Sequence, residues 1–198
     1  MDLEQRIRQQ FESSASTALD TSAAIGAEIL QAAQRVVTTH GRQGKTLICG
    51  NGGSAADALH FSAELLCRYQ RERPPLAAIA LSADTATITA TANDYAFDQI
   101  FSRQINALGR PGDLLITITT SGNSPNILEA VKAAAGIGLD VVALTGRGGG
   151  ALAGLLRETD IELRIPSDST ARIQEAHAII IHSICDLIDL HITGEFQL

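Results

Sequence analysis

From residue 46 onwards, short apolar runs alternate with longer stretches that have helical periodicity. Each run is four to six residues long and ends at Gly, Asp, Pro, Ser or a charged residue; they are Thr46–Cys49, Ala77–Leu81, Leu114–Thr119, Val141–Thr145 and Ile161–Ile165. The first four are almost unbroken, which is typical of parallel strands buried on both faces. The fifth alternates through Glu162 and Arg164, which favours an edge strand.

Helical segments precede the first strand and separate the others. Residues 2–40 contain many Ala, one Gly at position 26 and no Pro, so they predict a helical arm in which Thr21 or Ser22 caps a second helix. Further helices are predicted at 54–70, 85–108 with a break near Asn93, 125–137, 149–157 and 171–192. This alternation predicts an α/β fold, a doubly wound five-stranded parallel sheet sandwiched by helices. We expect a single domain over 1–198, with the arm at 1–42 and the α/β core at 43–198.

Composition and charge exclude several classes of protein. The 198 residues are 45% hydrophobic and 19% charged, which suits one compact domain rather than a disordered chain. The formal net charge is −7 without a long Lys/Arg block, so binding to nucleic acid or an anionic membrane is not expected. No apolar run has the length of a membrane helix, and the charged first twenty residues do not resemble a signal peptide. Cys49, Cys67 and Cys185 lack metal-site spacing, which indicates reduced thiols in a cytoplasmic protein.

The loop after the first strand is rich in small residues. Residues 50–55 read Gly-Asn-Gly-Gly-Ser-Ala and open a helix, so backbone N–H groups and the helix dipole can hold an anion. The run also fits the dinucleotide pattern G-x-G-x-x-A, but the acidic residue that should follow about 20 positions later is missing. A tight turn without a ligand is the other alternative.

The loop after the third strand carries many hydrogen-bond donors. Residues 119–126 read Thr-Thr-Ser-Gly-Asn-Ser-Pro-Asn, with Ser124 as the expected helix cap before a Pro. A cap requires only Ser124, so Thr120 and Ser121 exceed what a turn needs. Since both loops should lie at the carboxyl ends of parallel strands, they face one crevice. We predict that their hydroxyls and amides bind a phosphate there without Lys or Arg.

Three side chains are candidates for proton transfer. His60 and Glu64 are four residues apart and share one face of the helix after the first loop. Their spacing fits a surface contact, an acid/base pair or two metal ligands. His182 follows the run Ile179–Ile181, so it is either a satisfied core histidine or a desolvated group suited to proton exchange near neutral pH.

Taken together, these motifs resemble the sugar isomerase (SIS) domain family over the whole chain. The resemblance rests on Asn-Gly-Gly-Ser at 51–54 and Thr-Ser-Gly-Asn-Ser at 120–124. Further matching stretches are 59–61 with Glu64, 92–94, 144–146, and 172–175 with His182. Within that family the chain is most similar to the bacterial phosphoheptose isomerases. The resemblance implies the SIS fold and conversion of sedoheptulose 7-phosphate to D-glycero-D-manno-heptose 7-phosphate, a step towards ADP-heptose and lipopolysaccharide core.

The resemblance also implies roles for individual positions. Glu64 and His182 match an acid/base pair for enediol chemistry. One Zn²⁺ per subunit is implied, held by His60, Glu64, Gln174 and His182. The implied substrate-binding residues are Asn51, Gly52, Gly53, Ser54, Glu64, Asn93, Asp94, Thr119, Thr120, Ser121, Ser124 and Gln174. Thr119 departs from the Ser of many members but keeps the hydroxyl.

A homo-oligomer, expected to be a tetramer, is a further implication. Gln174 and His182 are eight residues apart, which on a helix is about 12 Å of rise and about 80° of rotation. Helical side chains lean towards the N-terminus, so Gln174 points away from His182. We therefore expect each site to take these two groups from different chains.

Two alternative functions remain open at this point. A non-catalytic regulator that binds the bacterial replication initiator is also similar over its full length, but it lacks the acid and the histidine at the positions of Glu64 and His182. Both are present here, which favours the enzyme. A nucleotide-binding dehydrogenase is the third alternative. It is disfavoured because this chain lacks the ribose-binding acid of such enzymes, and because that function leaves the hydroxyl-rich loop unexplained.

Overall fold

The computed structural model describes residues 2–198 and shows strands and helices alternating along the chain. The strands are β1 (Thr46–Gly50), β2 (Ala78–Ala80), β3 (Leu114–Ile118), β4 (Asp140–Gly146) and β5 (Ile161–Ile165). The helices are α1 (Leu3–Gly41), α2 (Gly53–Leu66), α3 (Thr85–Asp94), α4 (Ser102–Leu108), α5 (Pro125–Ile137), α6 (Gly150–Ala153) and α7 (Thr170–Ile192), with a 3₁₀ turn at Phe97–Gln99.

The five strands form one parallel sheet in the order β2-β1-β3-β4-β5. This confirms the predicted fold, including the edge position of β5; the short β2 forms the other edge. The chain moves outward in one direction from β1 to β2 and in the other from β3 to β5. The carboxyl ends of β1 and β3 therefore flank a switch point, which is where ligands bind in open α/β sheets.

Helices cover both faces of the sheet and enclose two hydrophobic clusters. One cluster joins α1, α2 and α7 to the sheet, with Ile116 and Phe61 among its buried residues. The other joins α4, α5 and α6 to the opposite face, with Leu115 and Ile105. Successive strand side chains point to opposite faces, so a strand covered on both sides is apolar at most positions. This explains the almost unbroken runs in β1, β3 and β4, in which Thr46, Thr117 and Thr145 are the buried polar residues.

The N-terminal arm is one long helix with a kink, and the predicted second cap is wrong. Helix α1 departs from helical geometry at Ile25, whose φ is −134° and ψ is 21°. The Thr21 hydroxyl does not cap a new helix but donates to the carbonyl of Thr17 at 2.7 Å. A Thr hydroxyl inside a helix can donate its hydrogen bond to a carbonyl of the preceding turn. Thr21 and Ser22 therefore do not interrupt the helix.

Two other helices are shorter than predicted. Helix α2 ends at Leu66 rather than residue 70, because the Arg73 side chain binds the last carbonyls of the helix. Helix α6 covers only Gly150–Ala153, since Gly154 follows and Arg157 instead pairs with Asp160. The predicted break near Asn93 is confirmed by the gap between α3 and the 3₁₀ turn.

The first half of α1 exposes large apolar side chains. Leu3, Ile7, Phe11 and Leu19 are each more than half exposed. Between residues 2 and 198, however, no helix is both long enough and apolar enough to cross a bilayer. These side chains therefore form an uncovered apolar surface on the helical arm.

One histidine of α7 lies in the core and makes the fold sensitive to acid. His177 is fully buried, its Nε2–H donates to the carbonyl of Thr145 at 3.1 Å, and its buried Nδ1 has no partner. Burial lowers the pKa of His177 to about 4, although the hydrogen bond to Thr145 opposes this shift. The folded protein thus favours the neutral ring, whereas the unfolded chain takes up a proton below its ordinary pKa of 6.5.

We expect His177→Gln to flatten the dependence of stability on pH. In the wild type, the contribution of His177 to the free energy of unfolding is complete above pH 6.5 and is lost as the pH falls towards 4. The loss is about 3 kcal/mol, at 1.36 kcal/mol per pKa unit. Urea unfolding at several pH values measures this loss. His40, whose pKa burial and Arg73 lower, acts in the same direction in both proteins and serves as the internal reference. An unchanged pH dependence in the variant would contradict the assignment.

Candidate active site

The two phosphate-loop candidates lie side by side at the switch point. The side chains of Asn51, after β1, and Asn126, in the first turn of α5, exchange two amide hydrogen bonds of 2.8 Å each. Asn126 is buried, so this pair fixes the spacing of the loops from the inside. The predicted juxtaposition of the loops is confirmed. The role of Asn126 was not predicted, because the pairing becomes visible only once β1 and β3 are neighbours.

The hydroxyls of the second loop keep donor capacity for a ligand. Thr119 Oγ1 accepts from the N–H of Gly122 at 3.3 Å, and Ser121 Oγ accepts from the N–H of Asn123 at 3.2 Å. Each hydroxyl hydrogen thus remains free to be donated. Ser124 occupies the position before α5, but its side chain makes no capping hydrogen bond, contrary to the expected cap. Its hydroxyl is therefore also available.

Two glycines allow close approaches that a larger residue would prevent. Gly122 has a φ of +66°, and a Cβ there would lie 1.9 Å from the carbonyl oxygen of Gly149. A Cβ on Gly53 would lie 2.5 Å from Nε2 of Gln174. The Gln174 side chain therefore rests on the N-terminal end of α2, beside the first loop.

A second group of side chains converges further along α2. His60 Nε2 lies 3.0 Å from Glu64 Oε1, and His182 Nε2, on α7, lies 3.4 Å from His60 Nε2. His60 is exposed, and Glu64 and His182 are half-buried. The second oxygen of Glu64, Oε2, is buried and has no hydrogen-bond partner. The three groups thus lie close together, and one oxygen of the carboxylate remains unsatisfied.

This group fits a metal ion. One ligand atom from each of His60, Glu64 and His182 lies within 4.8 Å of the other two. Two imidazole nitrogens and a carboxylate oxygen are the donor set of catalytic zinc sites, which keep a position open for substrate. The buried, unpartnered Glu64 Oε2 is the kind of atom that a cation would satisfy. Three of the four predicted metal ligands are thus brought together within one chain.

The fourth predicted ligand lies elsewhere in the same chain. Gln174 contacts Gly53, whereas His60 and Glu64 follow Gly53 by seven and eleven residues, which is about 10 and 16 Å along the helix. Asn93 and Asp94 are exposed at the end of α3 and hydrogen-bond to each other at 2.8 Å. Within one chain the predicted site residues therefore form separate groups.

Two neighbours of the cluster were not assigned from the sequence. The Tyr69 ring stacks on His182, with ring centroids 5.4 Å apart and planes inclined by 21°. Asp57, one turn before His60, has a buried oxygen without a partner. Burial raises the pKa of the Asp57 carboxyl, while the nearby His60 opposes this shift. Aromatic and acidic side chains are common near any helix, so nothing in the sequence distinguished these two.

Known proteins match the chain over nearly its whole length. A profile of the SIS domain matches residues 10–146. A phosphoheptose isomerase from Azoarcus sp. (strain BH72) is 54% identical over 194 residues, which is 98% of each chain. The solved structure of a phosphoheptose isomerase from Francisella tularensis has a TM-score of 0.93 and 49% identity, covering 96% of this chain and 99% of the other. That of the enzyme from Neisseria gonorrhoeae has a TM-score of 0.90 and 47% identity, covering 95% and 99%.

These likenesses agree with the expectation drawn from the loop motifs and with the order of the strands. Identities of 47 to 54% over almost complete chains lie far above what a shared fold alone requires. The chain belongs to the SIS domain family and, within it, to the phosphoheptose isomerases.

Proposed function

We propose that the chain converts sedoheptulose 7-phosphate to D-glycero-D-manno-heptose 7-phosphate, which supplies ADP-heptose for lipopolysaccharide core. The observation that carries this proposal is the meeting of His60, Glu64 and His182 between α2 and α7, with an unpartnered Glu64 oxygen among them. An aldose–ketose isomerisation needs such paired proton-transfer groups next to a sugar. The phosphate loops at the switch point supply the other recognition element.

Glu64 and His182 are proposed to share the proton transfers. One of them removes a proton from C1 of the ketose while the other protonates the carbonyl oxygen on C2, which gives an enediol. Return of a proton to C2 and loss of the hydroxyl proton on C1 then produce the aldose. A carboxylate such as that of Glu64 can accept a proton, and imidazole exchanges protons near neutral pH.

We propose that His60, Glu64 and His182, with Gln174, hold one Zn²⁺ per subunit. The fit is supported by the donor set and by the separation of at most 4.8 Å between the ligand atoms of the first three. When bound, the ion would polarise the oxygens on C1 and C2 and stabilise their negative charge. His60, which contacts both Glu64 and His182, then orients the pair.

The phosphate is proposed to bind at the two joined loops. The proposed contacts with the whole sugar phosphate are the substrate-binding positions named above, which are Asn51, Gly52, Gly53, Ser54, Glu64, Asn93, Asp94, Thr119, Thr120, Ser121, Ser124 and Gln174. Neither loop contains Lys or Arg, so hydroxyls, backbone N–H groups and the α2 and α5 N-termini must carry the recognition.

Ser121→Ala and Ser124→Ala are each expected to weaken binding of the sugar phosphate by about 1–3 kcal/mol, the range for hydrogen bonds to charged groups. Isothermal titration with the substrate measures the change. Ser102→Ala is a matched control, because the Ser102 hydroxyl, at the start of α4, bonds only the carbonyl of Gln99 in the 3₁₀ turn. Unchanged affinity in both loop variants, together with a strict requirement for Arg68 or Arg172, would put the phosphate elsewhere.

We propose that the active form is a cytoplasmic homo-oligomer, most simply a tetramer. The uncovered apolar side chains of α1 need a partner surface, and Gln174 lies far along α2 from the cluster it is proposed to complete. A second chain can satisfy both conditions. Light scattering of the purified protein tests the assembly, and a monomer that retains full activity would rule it out.

The reaction itself is tested by incubating the purified protein with sedoheptulose 7-phosphate and analysing the product, with and without a chelator. Aldose formation that falls on chelation and returns with zinc is the expected result. A protein that produces no aldose with zinc present would reopen the regulator alternative. The identity to named isomerases and the presence of Glu64 and His182 do not favour that alternative.

A further inference from the structure

A buried ion pair connects the two helices that carry the His60–Glu64–His182 cluster. Arg73 lies in the connecting segment, residues 67–77, between α2 and β2, and Asp189 lies on α7. Arg73 Nε donates to Asp189 Oδ1 at 2.7 Å, and both side chains are completely buried. Two charges removed from water need a full set of partners, and these partners belong to the backbone around the cluster.

The Arg73 guanidinium holds the end of α2. Its Nη2 donates to the carbonyl of Glu64 at 2.7 Å, and its Nη1 donates to the carbonyl of Leu65 at 3.1 Å. The last carbonyls of a helix lack partners within the helix, and a positive charge suits that end. Since one of these carbonyls belongs to Glu64, the guanidinium fixes the backbone from which that carboxylate extends.

The Asp189 carboxylate holds the connecting segment against α7. Its Oδ2 accepts the backbone N–H groups of Gln70 at 3.0 Å and Arg71 at 2.9 Å. Burial alone would raise the pKa of Asp189, but these N–H groups and the guanidinium lower it, so the carboxylate stays charged. Asp189 follows His182 by seven residues, about two helical turns, and so lies on the same face of α7.

The same segment also touches His182 directly. Tyr69, which precedes Gln70, stacks on the His182 ring at a centroid distance of 5.4 Å. Residues 69–73 thus contact the backbone of Glu64, the ring of His182 and the face of α7 that carries it. Proton transfer and metal binding both require these groups to keep a fixed separation, because a displacement of about 1 Å can cost about 10²-fold in rate.

We propose that Arg73 and Asp189 are positioning residues of the isomerase site, which hold Glu64 at its working distance from His182 and His60. This role rests on the function proposed above for Glu64 and His182. Both side chains are completely buried, so neither is open to the substrate. The pair acts through the end of α2 and through the face of α7.

Arg73→Lys tests this role. A lysine keeps the charge, but its single ammonium cannot bind Asp189 and two carbonyls in the fork geometry of a guanidinium. We expect kcat to fall about 10- to 100-fold and the affinity for zinc alone, measured by competition with a chromophoric chelator, to fall by a similar factor. KM for the sugar phosphate should change little, since the phosphate loops are not altered. Asp189→Asn, which is isosteric, should show the same pattern and carries the test if Arg73→Lys does not fold.

Arg157→Lys is the matched control. Arg157 also binds a buried carboxylate, Asp160, at 2.7 Å, and a backbone carbonyl, that of Leu139. That pair lies between α6 and β5, at the opposite ends of the strands from the phosphate loops. The control should lose some thermal stability, less than Arg73→Lys because the Arg157 side chain is 36% exposed, while kcat and zinc affinity stay at the wild-type values.

The positioning role is overturned if folded Arg73→Lys and Asp189→Asn proteins keep wild-type kcat and zinc affinity, or if Arg157→Lys loses both to the same degree. Failure of the proposed function looks different. If the wild type binds zinc but does not isomerise the sugar phosphate, the proposed isomerase function is wrong. The positioning role is then tested by comparing the zinc affinities of the variants with that of the wild type. If the wild type isomerises the sugar without binding zinc, the kinetic constants test the positioning role. Arg73→Lys and Asp189→Asn should then lower kcat with little change in KM, and Arg157→Lys should not.

Discussion

Glu64→Gln and His182→Ala are each expected to lower kcat by at least about 10²-fold, the usual contribution of a positioned proton-transfer group. Glutamine keeps the shape of Glu64 and can keep its contact with His60, but its amide cannot accept a proton as the carboxylate does. Alanine at position 182 removes the imidazole on the other side of the cluster. Steady-state kinetics with saturating sugar phosphate measures both changes.

Two variants outside the His60–Glu64–His182 cluster serve as controls for these substitutions. Glu129→Gln removes a carboxylate that pairs with Lys132 on the exposed side of α5, and His191→Ala removes a histidine near the end of α7. Both should retain wild-type turnover. All four proteins should keep the same circular dichroism and elution volume. Near-wild-type kcat in Glu64→Gln and His182→Ala would remove the acid/base assignment and return the non-catalytic regulator to consideration.

The sheet could be predicted because the pattern of apolar residues in each strand reflects how that strand is buried. β1, β3 and β4 are covered by helices on both faces, so nearly every position is apolar and the run itself marks the strand. β5, at the edge, alternates through Glu162 and Arg164, and its predicted bounds agree with the structure. The shared crevice followed from the rule that parallel strands end on one side of a sheet.

Contacts between distant residues could not be predicted in this way. The sequence predicts an end of α2 at residue 70, four residues beyond the observed end at Leu66, because nothing in residues 67–70 opposes a helix. The end is determined by Arg73, whose guanidinium binds two carbonyls of α2 and a carboxylate 116 residues away. The Asn51–Asn126 pair spans 75 residues. Such pairs depend on which strands are neighbours, and local pattern carries no information about that.

The histidines of α7 show the limit of sequence pattern most clearly. His177 and His182 both have apolar neighbours in sequence. His177 is nevertheless fully buried and hydrogen-bonds a backbone carbonyl, whereas His182 is half-buried and contacts His60. They are five residues apart, which on a helix is about 140° of rotation. Only the packing of α7 against β4 and α2 determines which of the two histidines lies next to another titratable side chain.

Mixing Gln174→Ala with His182→Ala protein is expected to restore part of the activity that each variant lacks alone. In one chain His182 meets His60 and Glu64, whereas Gln174 lies on Gly53 near the other end of α2. If a site combines the cluster of one chain with Gln174 of a neighbour, a hybrid can contain an intact cluster from the Gln174→Ala chain and an intact Gln174 from the His182→Ala chain. Random exchange in a symmetric assembly should make about a quarter of the sites complete.

The measurement is turnover after subunit exchange, with exchange itself followed by mass spectrometry of chains carrying different tags. Each variant incubated alone under the same conditions is the baseline, and a mixture with the Glu64→Gln/His182→Ala/Gln174→Ala chain is the matched control, because that chain can complete no site. Absence of recovery after proven exchange would show that Gln174 and His182 act within one chain. Helix α7 would then have to bend, since a straight helix keeps positions 174 and 182 about 12 Å apart.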